Sequence, residues 1–362
     1  MLFTYADKNT PFVLSPESLD WYLGKGWYRM GANIFTTHFL FFKEQPYSAI
    51  WIRVDLENFS FSKRQRKLLR KNAQLFETVA GKGVIDDERE SLYRLYAANF
   101  DGRLSPSIRD SLEEYDGDSV FNTHETTVRE RVSGKLVAAS YFDLGASSAA
   151  SILGYYNQDL SSFSLGYYTM LLEIQYCLEA GIRYYYPGYI VPGYERFDYK
   201  KRLGDSEFFD LKTETWKPLD EEYLRREGPT EVQVRALTEL RERLNAQLPG
   251  TFTLAIYPLF EAGLYDIWND DYLPYPYCIP LMVDIEGNAI IVAYDPKDRE
   301  YLLLHCLHMV QTQMLFNPAY LSGFPKSEYF TDLLAIRRIV HRTHDVEEIA
   351  GVCQLAFNHQ EE

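Results

Sequence analysis

The chain has 362 residues and a formal charge of −15, with 46% hydrophobic residues. That length suggests about two or three domains, and 29 Tyr and 22 Phe supply core enough to argue against disorder. No apolar run reaches the roughly 20 residues of a membrane span, the first residues lack a secretion pattern, and the acidity argues against nonspecific nucleic-acid binding by the whole surface.

Cys177, Cys278, Cys306 and Cys353 stand far apart with no CxxC pair, which reads as four reduced, buried thiols in a cytoplasmic protein. Ser15-Pro16 starts a short helix ending near Gly24 or Gly26. Residues 27–35 and 49–54 follow as strands, so residues 1–71 are expected to form a small module. His38 stands alone, and a metal site needs several ligands.

Residues 62–72 read SKRQRKLLRKN, with six cations in the nine positions 63–71. Ser62 can cap a helix, on which Arg66 and Arg70 share a face with Lys63 and Lys67 beside them and Arg64 and Lys71 adding charge. Such an array either follows phosphates or forms a solvated face. Residues 72–79 are strand-like, 86–100 a helix opening on acidic residues, and Ser105-Pro106 opens another through about Tyr115. Residues 123–132, 136–143 and 148–156 are strands divided by Ser133-Gly134 and Gly145-Ala146.

The next helix carries a core stripe of Tyr167, Met170, Leu171, Ile174, Cys177 and Leu178, with Glu173 and Glu179 off it. Ser162 or Ser164 can cap its start, and Gly181 can end it in the left-handed conformation. A strand at 183–186 stops at Pro187-Gly188. The order over 72–200 is therefore β-α-α-β-β-β-α-β.

The wording of this region resembles the arginyl-tRNA–protein transferases and their bacterial leucyl counterparts, the N-end rule aminoacyltransferases. Tyr155-Tyr156-Asn157, Ser164-Leu165-Gly166-Tyr167-Tyr168, Glu173, Tyr185-Tyr186-Pro187-Gly188-Tyr189, Pro192-Gly193 and Tyr199-Lys200 carry the likeness. Gly26-Trp27-Tyr28-Arg29-Met30-Gly31 is similar to the family's GW-R--G phrase, but the cysteines that follow it there are missing at 36–42. The family's iron–sulfur role for those thiols needs four soft ligands, so no metal or other cofactor is expected. The basic run resembles the family's S-x-x-QR--LR-N phrase.

The resemblance implies an α+β, GNAT-like acyltransferase: a mixed sheet flanked by helices, whose element order is the one read above. It implies aminoacyl-tRNA as donor, held by Arg64, Arg66, Lys67, Arg70 and Lys71, and a protein or peptide N-terminus as acceptor. Aminoacyl transfer asks for positioning, a proton acceptor and a donor near the developing oxyanion. Tyr186, Asp143 and Glu173 are the candidates for chemistry. Tyr156, Asn157, Ser164, Gly166, Gly188, Tyr189, Arg196, Tyr199 and Lys200 are candidates for substrate binding. Asp198 stands where the family ending, similar to GC-K-RYK, has a cation, and a carboxylate there would repel an acidic acceptor.

Two other classes stay open. One is a GNAT enzyme using acyl-CoA on a small amine, though the helix-opening segment 157–166 has a single glycine for a pyrophosphate cradle. The other is a non-catalytic binding protein on the same fold.

Gly228-Pro229 divides a transferase domain at 72–228 from an α/β module at 229–362, which holds 9 basic against 19 acidic residues. In this last part a helix is expected at 231–247, a hairpin of 279–284 with 289–294, and helices at 332–341 and 346–357. His305-Cys306-Leu307-His308 reads as core.

Overall fold

The structure, a computed structural model, describes residues 2–100, 102, 104–113, 119–265, 272–284, 286–309 and 321–358. It opens with β1 (Ala6–Asn9), α1 (Pro16–Gly24), β2 (Tyr28–Met30) and β3 (Asn33–Thr37). A hairpin of β4 (Phe39–Phe42) and β5 (Gln45–Ser48) leads to β6 (Ile50–Asp55) and α2 (Lys63–Leu75). Then come β7 (Phe76–Lys82), α3 (Asp87–Ala98), α4 (Ile108–Leu112), β8 (Thr123–Glu130), β9 (Leu136–Leu144) and β10 (Ser148–Tyr156).

A 3₁₀ turn at Gln158–Phe163 precedes α5 (Leu165–Glu179), β11 (Tyr184–Ile190) and a second 3₁₀ segment at Glu195–Arg202. β12 (Ser206–Asp210), β13 (Thr215–Pro218), α6 (Glu221–Glu227) and α7 (Pro229–Gln247) follow. The last elements are β14 (Ala255–Ile256), β15 (Tyr277–Val283), β16 (Asn288–Asp295), β17 (Glu300–Met309), β18 (Leu333–Thr343) and α8 (Val346–Asn358).

One eight-stranded sheet, in the order β13-β12-β6-β11-β10-β9-β8-β7, forms the centre. Its only parallel pair among the described strands is β10 with β11, and that pairing covers just Ser148–Ala150 against Tyr184–Tyr186. A bulge between Ser151 and Leu153 then bends β10 away, and Pro187, which has no N–H to give, leaves β11 paired to β6 alone. The two strands therefore splay, with α5 as their crossover. This is the GNAT-like arrangement: a mixed sheet, flanked by helices, opened at its parallel pair.

α5 buries Leu171, Ile174 and Cys177 against Phe142, Val54 and Tyr185 on one face of the sheet. α3 and α4 bury Leu92, Tyr93, Ile108 and Leu112 against Tyr141 and Tyr155 on the other. β6, expected within the small first module, lies inside this sheet between β11 and β12.

The expected strand at 72–79 starts later. α2 runs on to Leu75 because Asn72, fully buried, donates from its side chain to Phe163 O at 2.9 Å. The helix opened near Ser105 is short, and Tyr115 lies outside the described residues.

In the last module the five strands β14-β15-β16-β17-β18 form an antiparallel sheet. α7 and α8 cover one face through Leu237, Leu240, Leu244, Ile349 and Cys353. Tyr5, Phe39, Tyr257 and Phe260 cover the other.

The helix expected at 332–341 is instead β18, paired antiparallel along β17. Leu and Ala suit a helix locally, but the long partner strand and the β-branched Ile336, Ile339 and Val340 decide for the sheet. Cys306 is buried on β17, and His305 and His308 face Asn288 Oδ1 and Asp284 O at 3.3 and 3.0 Å. Among the described residues no helix is long and apolar enough to cross a membrane.

Candidate active site

The splay opens a cavity of about 980 Å³, bounded by β10, the first turns of α5, the end of β11 and the 3₁₀ segment after it, with α3 on the far side. Tyr28, Tyr96, Tyr156, Tyr189, Phe197 and Tyr199 make its walls largely aromatic. Arg29, Arg196 and Lys200 reach it, and among the described residues no Asp or Glu does.

Of the expected binding residues, Tyr156, Gly166, Gly188, Tyr189, Arg196, Tyr199 and Lys200 converge here. Asn157 and Ser164 do not line the cavity. Asn157 caps the 3₁₀ turn, its Oδ1 accepting from Asp159 N at 3.1 Å. Ser164 takes a left-handed backbone (φ 52°) that joins the turn to α5, and its side chain makes no capping bond. The Tyr156 ring lies over the start of α5, where a Cβ on Gly166 would come within 3.0 Å of it.

Lys200 is held with its Nζ donating to Tyr189 O at 3.0 Å and 5.3 Å from the ring centres of Tyr189 and Phe197. Burial, with no carboxylate partner among the described residues, pushes its pKa down to about 7. Gly188 (φ +94°) lets the ammonium approach, since a Cβ there would sit 3.1 Å from Nζ. The Arg196 guanidinium stacks on Phe100 at 4.2 Å.

The 3₁₀ geometry explains what Asp198 does. Residues three apart eclipse on such a helix, so Phe197 and Lys200 share the cavity side. Asp198 and Lys201 pair outside it at 2.8 Å, with Glu221 as a second partner of Lys201 at 2.7 Å. The expected repulsion of an acidic acceptor by Asp198 thus has no geometric basis.

The candidates for chemistry separate. Tyr185 and Tyr186 point to opposite faces of β11, as strand alternation requires. Tyr186 packs on Trp216 with ring centres 5.5 Å apart, its hydroxyl 3.4 Å from Arg53 and outside the cavity lining. Asp143 is fully buried, accepting from Arg29 at 2.8 Å and Thr123 Oγ1 at 2.7 Å, so it braces the wall.

Glu173 is also fully buried, although the helical stripe leaves it out. Sheet and 3₁₀ segments enclose α5 on more than one side. Glu173 Oε2 accepts from the Tyr185 hydroxyl at 2.6 Å.

Sequence reasoning passed over Tyr28, Ser140, Ser151 and Thr169, all of which line the cavity. Splaying orphans backbone carbonyls, which must find donors. The Tyr28 hydroxyl donates to Ser151 O and, at 3.0 Å, to Tyr186 O, tying the parted strands together. The signal was present: Tyr28 and Arg29 stand inside the Gly26–Gly31 phrase.

Beside the cavity, α2 begins with a reciprocal cap. Ser62 N donates to Gln65 Oε1 at 2.7 Å and Gln65 N to Ser62 Oγ at 3.3 Å. On its inner side Gln65 Nε2 donates to Tyr167 OH at 3.1 Å and Leu203 O at 2.9 Å, and Tyr167 is a cavity residue. Arg64, Arg66, Lys67, Arg70 and Lys71 are all exposed, and among the described residues none has a carboxylate within ion-pair range. On an acidic surface laced with ion pairs, this face keeps its charge uncompensated.

The fold is of the GNAT-like acyltransferase class, and its splay holds an aromatic cavity reached by Arg29, Arg196 and Lys200. Residues 88–210 match the family model described as arginine-tRNA-protein transferase, C terminus. The chain is 30% identical over 203 residues to the aspartate/glutamate leucyltransferase of Leptospira interrogans, covering 53% of this chain and 74% of that one. It is 29% identical over 178 residues to the same-named protein of Phenylobacterium zucineum, covering 48% and 68%.

Among solved structures it is similar to FemX at 13% identity and a TM-score of 0.35, covering 56% of this chain and 69% of that one. At that distance the fold class rests on strand order and splay. The chain belongs to the aminoacyl-tRNA–protein transferase family, and it is an aminoacyltransferase.

Proposed function

We propose that this protein moves an amino acid, leucine as in the names of its relatives, from charged tRNA to the N-terminal amine of proteins whose first residue is Asp or Glu. The observation that carries the reading is an aromatic cavity reached by three cations and, among the described residues, by no carboxylate, set directly beside an uncompensated cationic helix. Arg64, Arg66, Lys67, Arg70 and Lys71 follow the tRNA phosphates. Tyr156, Tyr189 and Tyr199 stack the terminal nucleotide and aminoacyl group. Lys200 and Arg196 receive the acceptor's carboxylate.

An aminoacyl ester is already activated, so alignment of amine and carbonyl supplies most of the acceleration. The setting is N-end rule protein modification in the cytoplasm. An acyl-CoA donor is disfavoured because the Tyr156 ring covers the α5 start where a pyrophosphate would need bare N–H groups.

The test mixes labelled leucyl-tRNA with peptides beginning in Asp, Glu, Asn or Lys. Transfer to the acidic peptides supports the reading. Transfer only from an acyl-CoA, or to no peptide, refutes it.

A further inference from the structure

Behind the cavity wall lies a carboxyl group that the scheme above leaves unused. Glu173 is fully buried in α5, and only one of its oxygens is satisfied. Its Oε1 has no hydrogen-bond partner among the described residues. An orphaned, buried carboxylate oxygen is costly and calls for a reason.

Two serines stand between it and the cavity. Ser140 on β9 and Ser151 on β10 both line the cavity, and both hydroxyls lie close enough to Glu173 to favour its charged form. The Ser140 hydroxyl is already engaged with Thr126 Oγ1 at 2.8 Å. Ser151 sits at the bulge where β10 leaves β11. Its carbonyl is held by Tyr28, which fixes the backbone from which the hydroxyl projects.

We propose that Glu173 takes up, through the Ser151 hydroxyl, the proton released when the acceptor amine attacks the aminoacyl ester. This rests on the transferase reading above. The amine nitrogen bonds to the ester carbonyl carbon, and the bond from that carbon to the ribose oxygen breaks. The nitrogen gives one proton to Ser151 Oγ as the serine passes its own to Glu173 Oε1. The reverse path returns a proton to the departing ribose oxygen, so serine and carboxylate end as they began. Glu173 is a positioning residue in this scheme, acting only through Ser151, while Tyr185 steadies its other oxygen.

The surroundings suit the task. Burial raises the Glu173 pKa to about 7, tempered by Ser140, Tyr185 and Ser151. The titratable groups that share its field are Tyr28, Tyr185, Tyr199 and Cys177, all neutral near pH 7 because burial pushes each upward. No cation among the described residues holds the carboxyl in its charged form. A proton acceptor works best when its pKa lies near the working pH.

The test compares Glu173→Gln with the parent at saturating leucyl-tRNA and Asp-peptide between pH 5.5 and 8.5. Glutamine keeps an acceptor for Tyr185 but cannot take the proton. At pH 8 its kcat should fall ~100-fold with both KM values within about twofold. The parent-to-variant ratio should shrink about tenfold per pH unit below 7, because the parent's own carboxyl becomes protonated.

Taking the ratio cancels titration of the amine. A ratio constant with pH, or a kcat within threefold of the parent at pH 8, overturns the proposal. If Glu173→Gln fails to fold by circular dichroism, Ser151→Ala carries the same two criteria. A parent that transfers from no charged tRNA would instead refute the transferase reading.

Discussion

Lys200 offers the sharpest test of acceptor choice. Its pKa lies near 7 because burial disfavours the charged ammonium and, among the described residues, no carboxylate pairs with it. An acidic acceptor brings that carboxylate, so binding requires the charged lysine. The charged fraction is about half at pH 7 and about one-eleventh at pH 8, and apparent affinity scales with the competent fraction. The specificity ratio, kcat/KM for an Asp-first peptide over that for an Asn-first peptide, should drop about fivefold from pH 7 to 8 and about tenfold per unit beyond. Titration of the acceptor amine affects both peptides and cancels.

Lys200→Met removes the partner of a buried carboxylate, a loss of about 2–5 kcal/mol, or roughly thirtyfold to several thousandfold for the Asp peptide. The Asn peptide should change less than about threefold, and the ratio should become flat with pH. Competition kinetics with the two peptides in one reaction measure it directly. A parent ratio already flat from pH 6 to 9, or a Lys200→Met variant that still prefers Asp, would refute the assignment.

Three further outcomes follow from the same geometry. Charge reversal at Arg66 and Arg70 should weaken tRNA binding similarly for all tRNA species and lower the salt slope by about one unit per lost contact, with stability changed by less than about 0.5 kcal/mol. Titrations at several salt concentrations, with a denaturant melt as control, check both. Gly188→Ala forces a side chain into φ +94° and against Lys200, costing about 1–2 kcal/mol by urea unfolding and raising KM for acidic peptides. Lys200→Met should stabilise the fold at pH 6, where the parent buries a charge. The lysine is charged when unfolded but neutral when folded between pH 7 and about 10, so parent stability rises across that window and the variant's advantage shrinks; unfolding at pH 6, 8 and 9.5 reads this.

Much of the transferase region could be read from the chain because its signals are local. Gly134, Gly145 and Gly181 punctuate it and the stripe Met170–Leu171–Ile174–Cys177 is helical, whereas Pro187-Gly188, expected to end the strand, ends only its parallel pairing, and β11 runs on against β6 to Ile190. What stayed hidden depends on partners far away in sequence. β18 is a strand only because β17 is there to pair with it. Glu173 escapes the stripe because α5 is enclosed on more than one side. Asp198 turns from the cavity because the segment is 3₁₀ rather than α, which no residue type in it announces. Tyr28 reaches a carbonyl 123 residues on.

That last contact points to how the cavity is assembled. The wall is not the property of the central sheet alone, since Tyr28 comes from β2, which lies outside that sheet. Trp51 on β6 stacks against Tyr28 at 5.2 Å and meets Tyr189 edge-on at 5.4 Å, so β6 positions two aromatic faces of the cavity. The chain just before β6 is anchored in turn to the last module. Ser48 Oγ donates to Glu231 Oε2 at 2.6 Å, and Thr230 N donates to Ser48 Oγ at 3.0 Å. Tyr5, whose carbonyl accepts from His38 N at 3.0 Å, donates from its hydroxyl to Asp295 at 2.5 Å, inside the core beneath the second sheet. Because close-packed interiors transmit small displacements rather than absorb them, these contacts join the second sheet to the cavity wall that Trp51 supports beneath Tyr28 and Tyr189.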